Sequence, residues 1–199
     1  MDETGQKILF IDFDGTITKD QYWRSLSLEI HNKLQALLFS GERQMVHDWM
    51  RGKYSAEEVN RYVSDQLSID YQNLWDLFVK DCKTIVVPDA ILNQIQSLRE
   101  KYLVVLITGN MDSFSRFTVP ALNLDQYFEY IVNSFDEKKH KTDNNGEQFV
   151  EWADRLDASL SESILIDDQE KVCNIFSQLG GQARQTKSLI DTQCILNNL

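Results

Sequence analysis

The sequence predicts an α/β protein in which a parallel β-sheet is covered by helices on both faces and a helical lobe is inserted after the first strand. Four short, continuous apolar segments in the 199-residue chain indicate buried strands. Amphipathic helical segments lie between most of them, and this alternation is typical of a parallel sheet. Between about residues 20 and 86 only helical patterns occur, which indicates a separate lobe.

Each predicted strand is short, apolar throughout and bounded by polar residues, as expected for a strand that is buried on both faces. The four strands are predicted at Ile8–Asp12, Leu103–Thr108, Tyr130–Ser134 and Ile164–Asp167. A weaker fifth strand is predicted near Gln182–Gln185.

Apolar residues at helical spacing predict three helices around these strands. They are expected over about residues 91–98, after Pro88, over residues 149–156, and over residues 172–179. Gly180 and Gly181 follow the last of them and form a typical C-terminal stop.

The inserted lobe contains four helical patterns. They cover about residues 26–38, 45–50, 59–63 and 74–78, and the third begins with the capping-box signature Ser55–Glu58. We therefore predict an α/β core domain formed by residues 1–18 and 88–199, and a helical cap domain formed by residues 19–87, here called the inserted lobe.

The composition narrows the class of protein. The formal net charge of −11 opposes binding to nucleic acid and to anionic membrane surfaces, so neither is an expected partner. Three widely spaced cysteines argue against a disulfide framework or a zinc site and suit a reducing compartment. The N-terminal MDETGQK lacks the features of a signal peptide, and no apolar run approaches about 18 residues. A cytoplasmic protein is expected, with secretion by a route that needs no such signal as the alternative.

Acidic residues follow the first and the last of the four strands. Asp12 ends the first strand, Asp14 comes two positions later, and Asp167 and Asp168 end the last strand. Because ligands bind beyond the carboxyl ends of parallel strands, we expect these side chains to meet at one edge of the sheet, beside Thr108. Neighbouring carboxylates need a positive partner. Oxygen ligands without a cluster of His or Cys favour a hard cation, and Mg2+ is the common choice where phosphates are handled.

Four segments resemble the four motifs of the haloacid dehalogenase (HAD) superfamily. DFDGT at residues 12–16 resembles D-x-D-G-T, LITGN at 106–110 resembles the second motif, KTD at 141–143 resembles Lys-Pro-Asp, and ILIDD at 164–168 resembles the fourth. Their order matches the family, and the first two leave room for a helical C1-type cap between them. The resemblance implies a Rossmann-like, three-layer α/β/α sandwich and a Mg2+-dependent hydrolase of the phosphatase branch.

The resemblance also implies roles for the acidic residues. Asp12 would be the nucleophile, and Asp14 would protonate the leaving oxygen and then activate water. Asp12, the Asp14 position through its backbone carbonyl, and Asp168 would bind Mg2+, with Asp167 either a further ligand or a partner behind the ligands. Since dehalogenases do not need an acid two positions after the nucleophile, Asp14 favours phosphoryl transfer.

Other residues are expected to bind the substrate. Gly15 allows the backbone to turn sharply beside the phosphate, and Thr108 with the turn at Gly109 and Asn110 would hold the phosphate oxygens. Arg24 is the candidate for substrate contact from the inserted lobe.

Three lysines compete for the role of balancing the charge on Asp12. Lys141 is preferred over Lys139 and Lys138 because Asp143 follows it at the expected offset, although Thr142 replaces the usual proline. The three histidines, His31, His47 and His140, are scattered in the sequence and are assigned to packing or to the surface.

The expected function is hydrolysis of a small phosphomonoester through an aspartyl phosphate on Asp12. A phosphomutase that uses the same two acids, and a catalytically idle module with this fold that binds a metabolite or a protein, are the alternatives. The natural substrate and the oligomeric state stay open.

Overall fold

The fold is built on one parallel sheet, and the computed structural model describes residues 6–199 of the chain. Most of the N-terminal segment used above to predict location, residues 1–5, therefore lies outside the described residues. The strands are β1 (Ile8–Ile11), β2 (Leu103–Thr108), β3 (Tyr130–Asn133), β4 (Ile164–Asp167) and β5 (Gln182–Gln185). Their order across the sheet is β3-β2-β1-β4-β5, and every pair is parallel. The predicted fold class is confirmed.

The strand order reverses beside β1. Ile11 pairs with Leu106 of β2 on one side and with Ile166 of β4 on the other. The chain builds β2 and β3 outward in one direction and then returns past β1 to build β4 and β5. Such a reversal opens a crevice at the carboxyl ends of the central strands, which is where ligands bind in open α/β sheets.

The described residues include ten α-helices. They are α1 (Leu28–Gln35), α2 (Arg43–Trp49), α3 (Ala56–Leu67), α4 (Tyr71–Lys83), α5 (Asp89–Leu98), α6 (Val119–Leu122), α7 (Ser134–Glu137), α8 (Glu147–Arg155), α9 (Glu170–Gln178) and α10 (Leu189–Asn197). Wider π-helical turns extend α1 over Ala36–Gly41 and precede α6 over Phe114–Thr118.

Alternate residues of β1 point to opposite faces of the sheet, and each face is covered by helices. Leu9 and Ile11 pack in one apolar cluster with residues of α5 and α10, whereas Ile8 and Phe10 pack in another with residues of α8 and α9. The Phe10 ring lies edge-on to the ring of Phe149, with centroids 5.5 Å apart. The molecule therefore has a helix, sheet and helix layering, as predicted.

The inserted lobe packs around its own aromatic cluster. Trp23, Trp49 and Phe78 are buried at its centre, among residues of α1 to α4. Ser55 and Glu58 form the capping box at the start of α3. Each of the four predicted helical patterns thus corresponds to a helix, while the division into two domains stays a prediction.

Helices α6, α7 and α10 were not predicted, and the last of them packs Leu196 against the α5 face of the sheet. In α8, Phe149 and Trp152 face the sheet, whereas Val150 is exposed. Within residues 6–199, no helix has the length and apolar character needed to cross a membrane.

Candidate active site

The predicted acidic residues meet at the carboxyl ends of the two central strands. Asp12 directly follows β1, and its backbone N–H donates to the carbonyl of Ile166, which extends the pairing with β4 by one residue. Asp167 is the last residue of β4, and Asp168 follows it. The parallel alignment of the two strands therefore places these carboxylates side by side.

Lys141 joins two of the carboxylates. Its Nζ lies 2.7 Å from Asp12 Oδ1 and 2.5 Å from Asp167 Oδ2, and all three side chains are at most 5% exposed. Burial raises the pKa of Asp12 to about 8, although the positive charge of Lys141 opposes the rise. Burial disfavours the charged form of Lys141, but Asp12 and Asp167 outweigh it and raise the pKa of this lysine above its usual value.

A third carboxylate completes an acidic cluster. One carboxylate oxygen from each of Asp12, Asp167 and Asp168 lies within 4.8 Å of the others. Asp168 Oδ1 is buried and has no hydrogen-bond partner among the described residues, and burial and the charge of Asp167 raise the pKa of Asp168. Three carboxylates near one ammonium leave excess negative charge, so the cluster has the oxygen donors and the charge that suit a hard divalent cation.

Gly15 allows the chain to turn next to this cluster. Its φ of 80° lies in the left-handed region, and a Cβ at this position would collide with the carboxylate of Asp168. A side chain here would therefore displace the third carboxylate of the cluster.

Asp14 is held apart from the cluster by a separate set of hydrogen bonds. Asn110 Nδ2 donates to Asp14 Oδ2 at 2.6 Å, and Tyr22 donates its hydroxyl proton to Asn110 Oδ1 at 2.9 Å. Ser134 Oγ accepts from the backbone N–H of Asn110 at 3.0 Å. Burial raises the pKa of Asp14 to about 7. The sequence analysis named Asn110 as a phosphate-binding residue. It missed Tyr22 and Ser134, because both lie outside the four motifs at residues 12–16, 106–110, 141–143 and 164–168.

The other predicted phosphate-binding residues also lie at this edge. Thr108 ends β2, and its buried Oγ1 has no hydrogen-bond partner in the described part of the chain, which leaves the hydroxyl available to a ligand. Gly109 follows it and faces the ring of His140, since a Cβ there would lie 3.7 Å from Nδ1. Thr16 Oγ1 donates to Asp12 Oδ2 at 3.3 Å, a contact that the sequence analysis did not anticipate.

The structure distinguishes the three competing lysines. Lys141 alone of the three contacts the carboxylates of the cluster. Lys139 binds Glu151 of α8 at 2.7 Å, and the Nζ of Lys138 lies 4.4 Å from the centroid of the Phe135 ring.

Arg24 is not placed where the sequence analysis predicted. Its guanidinium donates to the backbone carbonyls of Asp81 and Thr84, both at 2.7 Å, at the end of α4. Its charge thus stabilises orphan carbonyls at a helix C-terminus rather than facing the acidic cluster. Lys19, four residues after Gly15, is the basic residue that lines the cavity next to Asp14, and its Nζ donates to the carbonyl of Gly15.

Two histidines described above as scattered lie in contact. The rings of His47 and His140 are 4.5 Å apart, edge to face. Arg51 contacts His47 Nδ1 and binds both oxygens of Asp143, at 2.6 and 2.8 Å, while Asp143 accepts from the backbone N–H of His140. This group, here called the His–Arg contact, joins the end of α2 to the segment that contains Lys141.

A cavity of about 380 Å³ lies between the strand ends and the inserted lobe. Asp14, Gly15 and Asn110 form its end on the sheet side, and residues of the lobe, among them Tyr22 and Phe39, form its walls. The cavity therefore lies where a molecule bound at the strand ends would extend toward the lobe.

Comparison with known proteins agrees with this architecture. Residues 6–171 match the model of the family described as haloacid dehalogenase-like hydrolase. No curated protein matches the chain.

Solved structures with the same fold come from several bacteria. A HAD family enzyme from Bacteroides thetaiotaomicron, crystallised with magnesium and inorganic phosphate, is 20% identical, with a TM-score of 0.73 and coverage of 92% of this chain and 96% of that one. A predicted HAD-like hydrolase from Porphyromonas gingivalis is 18% identical, with a TM-score of 0.66 and coverage of 92% of both chains. The L-2-haloacid dehalogenase from Xanthobacter autotrophicus is 15% identical, with a TM-score of 0.64 and coverage of 91% of this chain and 77% of that one. At these identities the similarity shows the shared fold.

Proposed function

Because the chain belongs to the haloacid dehalogenase-like hydrolases, we propose that it is a Mg2+-dependent phosphatase that hydrolyses a small phosphomonoester at Asp12. One observation carries the proposal. Asp14 and Gly15 line the cavity, and Gly15 packs against Asp168 of the cluster formed with Asp12 and Asp167, so a nucleophile, an acid and a cation site are adjacent.

The residues present fit a magnesium ion. The donors are all oxygen atoms, the cluster has excess negative charge, and Asp168 Oδ1 is buried without a partner among the described residues. Asp12, Asp168 and the backbone carbonyl of Asp14 would hold the ion. When bound, Mg2+ supplies positive charge that keeps Asp12 ionised and offsets the charge of the phosphoryl oxygens. Magnesium and phosphate are bound together in the relative from Bacteroides thetaiotaomicron, which supports this assignment.

Asp167 fits a position behind the ligands. Its Oδ2 binds Lys141, and its Oδ1 accepts from the backbone N–H of Gln169 at 2.8 Å. Both of its oxygens are held by contacts of 2.5 and 2.8 Å, whereas Asp12 Oδ2 has only the longer contact of 3.3 Å with Thr16, so we assign Asp167 to orienting Lys141 and not to direct ligation.

The reaction would proceed in two displacements at phosphorus. A carboxylate oxygen of Asp12 forms a bond to phosphorus while the bond to the leaving alcohol breaks, and Asp14 gives its proton to that alcohol. Asp14 then takes a proton from water, whose oxygen attacks the phosphorus of the aspartyl phosphate and releases phosphate and Asp12. A pKa of about 7 allows Asp14 to exchange protons in both directions near neutral pH.

Lys141, Thr108 and the backbone of the turn at Gly109 would stabilise the transferring group. The ammonium is fixed by two buried contacts, so it needs little reorganisation when charge develops. The buried hydroxyl of Thr108 has a free hydrogen-bonding capacity at the same edge.

The competing activities can be separated by product analysis. A phosphatase releases inorganic phosphate steadily from alkyl and aryl phosphates, whereas a dehalogenase releases halide from 2-haloacids and a mutase forms an isomer of a sugar phosphate. We expect phosphate release that needs Mg2+, without halide or isomer. Absence of phosphate release over a broad panel would leave the idle binding module as the better interpretation.

The partner and the location stay predictions. We propose a small phosphate ester as the partner, with no nucleic acid or membrane involved, since the net charge is −11. A cytoplasmic location is supported by the three cysteines, all of which are free.

A further inference from the structure

We infer that the cavity next to Asp14 selects substrates whose alcohol part is uncharged, mostly apolar and compact. The inference rests on the proposed phosphatase function, because it concerns the group that leaves when the phosphate ester is cleaved.

The position of the cavity identifies its occupant. Asp14 must reach the leaving oxygen to protonate it, and the Asp14 side chain forms one end of the cavity. The carbon atoms attached to that oxygen must then extend toward the inserted lobe. A volume of about 380 Å³ is near the lower end of the range of roughly 300–1,000 Å³ for small-molecule sites, which limits the group to a compact one.

The walls of the cavity are largely apolar. Tyr22 and Trp23 line it from the segment that follows β1, Phe39 and Met50 line it from the inserted lobe, and Met111 lines it from the core. Aromatic rings and methionine side chains bind an apolar group because contact with it removes apolar surface from water.

The charge of the lining disfavours a second anionic group on the substrate. Lys19 is the sole Lys or Arg among the residues that line the cavity in the described chain, and its Nζ already donates to the carbonyl of Gly15. Asp14 and Asp20 add negative charge to the same lining. A carboxylate or a second phosphate in the cavity would therefore have Lys19 as its single cationic partner among the lining residues and would meet the like charges of two carboxylates.

Most polar side chains of the lining already have partners in the protein: Lys19 donates to the carbonyl of Gly15, Asp20 accepts from the backbone N–H of Val86, and Asn110 joins Tyr22 to Asp14. The side-chain amides of Gln21 and Gln35 line the cavity, and neither makes a hydrogen bond to another of the described residues. They can satisfy one or two polar atoms of a ligand. A hexose would bury further hydroxyl groups without partners, and each of them would weaken binding.

The inference is tested by binding, so that turnover is not needed. Cyclohexylmethylphosphonate and its polyhydroxylated analogue have the same ring size and the same headgroup, and each is titrated calorimetrically into the protein with Mg2+. We expect the apolar phosphonate to bind at least about tenfold more tightly, since a single unsatisfied hydroxyl group accounts for that factor. Equal affinities, or tighter binding of the polyhydroxylated compound, would overturn the inference.

A pair of variants localises the effect to the cavity. Met50→Gln keeps the shape of the side chain but adds polar atoms to the apolar wall, so the preference for the apolar phosphonate should fall about tenfold. Met45→Gln is the matched control: Met45 lies in α2, the helix that ends one residue before Met50, and packs on the lobe cluster, but it does not line the cavity, so the preference should be unchanged. An equal effect of both variants would show that the cavity wall does not set the preference.

Failure of the inference can be distinguished from failure of the proposed function. Phosphate release from cyclohexylmethyl phosphate and from a hexose 6-phosphate with equal kcat/KM keeps the phosphatase and rejects the apolar selectivity. Preferred binding of the apolar phosphonate without hydrolysis of any ester keeps the selectivity and rejects the phosphatase.

Discussion

The two sides of the candidate site differ in the charge and the burial of their side chains. On the core side, Asp12 and Asp167 lie at strand ends, and Lys141, from the segment between α7 and α8, binds both of them; all three side chains are buried. On the lobe side, Tyr22, Phe39 and Met50 are partly exposed apolar side chains from turns and helix ends.

This difference separates chemistry from selectivity. A reaction at phosphorus needs charges held in fixed positions, and strands that are paired on both sides provide such positions. Selection of a leaving group needs a shaped surface, which helices of a separate cluster can provide without disturbing the charges. Changes on the core side should therefore abolish turnover, whereas changes on the lobe side should alter preference.

The largest effect is expected from Asp12→Asn. Removal of the nucleophile should lower the rate of phosphate release by more than about 10³-fold, because no other group can form the covalent intermediate. Steady-state phosphate release measures it. The control is Asp154→Asn, an exposed acid of α8 that should leave the rate unchanged. Normal turnover of the Asp12 variant would remove the proposed nucleophile.

Lys141→Met and Lys139→Met form the next comparison. Loss of Lys141 leaves two buried carboxylates without their ammonium, so kcat should fall about 10²–10³-fold, and the free energy of unfolding should fall by about 3–5 kcal/mol without metal. Lys139 binds exposed glutamates of α8 and its loss should have little effect on kcat. Kinetics and urea unfolding measure both variants, and equal losses of kcat would contradict the assignment.

Metal removal tests the acidic cluster by itself. Chelation with EDTA should stop phosphate release. Addition of Mg2+ should raise the melting temperature, because a ligand at a hundred times its Kd stabilises the folded protein by about 2.7 kcal/mol. Asp168→Asn should abolish the shift, because it removes the carboxylate whose Oδ1 has no hydrogen-bond partner within residues 6–199. Glu170→Gln, an exposed acid nearby, should retain it. A shift of the same size in the Asp168 variant would place the ion elsewhere.

Loss of the His–Arg contact, which joins the two sides of the site, should have a smaller effect on turnover. Arg51→Ala removes the partly exposed ion pair with Asp143, which joins α2 to the segment of Lys141. We expect transition-state stabilisation to fall by about 1 kcal/mol, which is measured as roughly a fivefold fall in kcat/KM. The rise of the melting temperature on addition of Mg2+ should be retained. Lys53→Ala, which breaks an ion pair within the lobe, is the control. A loss of the Mg2+ shift in the Arg51 variant would contradict a role confined to the contact.

The smallest effect concerns pH. Burial, together with the positive charge of Arg51 and with His47, lowers the pKa of His140 to about 4, against the opposing charge of Asp143. The unfolded chain, in which this histidine titrates near 6.5, therefore binds a proton before the folded chain does. Stability is retained above pH 6.5 and falls as the pH drops toward 4. Between pH 7 and pH 4, the urea unfolding midpoint of His140→Asn should fall less steeply than that of the wild-type protein. Equal dependence of the two midpoints on pH would contradict the lowered pKa.

The sheet could be predicted closely because its signals are local. Five predicted strands and seven helical patterns correspond to elements of the structure, since a buried parallel strand is a short apolar run and an amphipathic helix has its own spacing. Helix α10 was missed because its apolar residues do not form one stripe, and its position depends on contacts with α5.

The sequence by itself determined the core side of the site. The strand ends at Asp12 and Asp167, and the parallel order of the strands, were enough to predict which carboxylates meet, because neighbouring parallel strands bring their carboxyl ends to one edge.

Only the tertiary structure decided the lobe side. It placed Arg24 on the end of α4 and joined His47 to His140 across the chain, and on the core side it brought Lys141, alone of the three lysines, to the carboxylates. Long side chains reach several partners from one backbone position, so their contacts depend on how separate elements pack, and no local pattern encodes that packing.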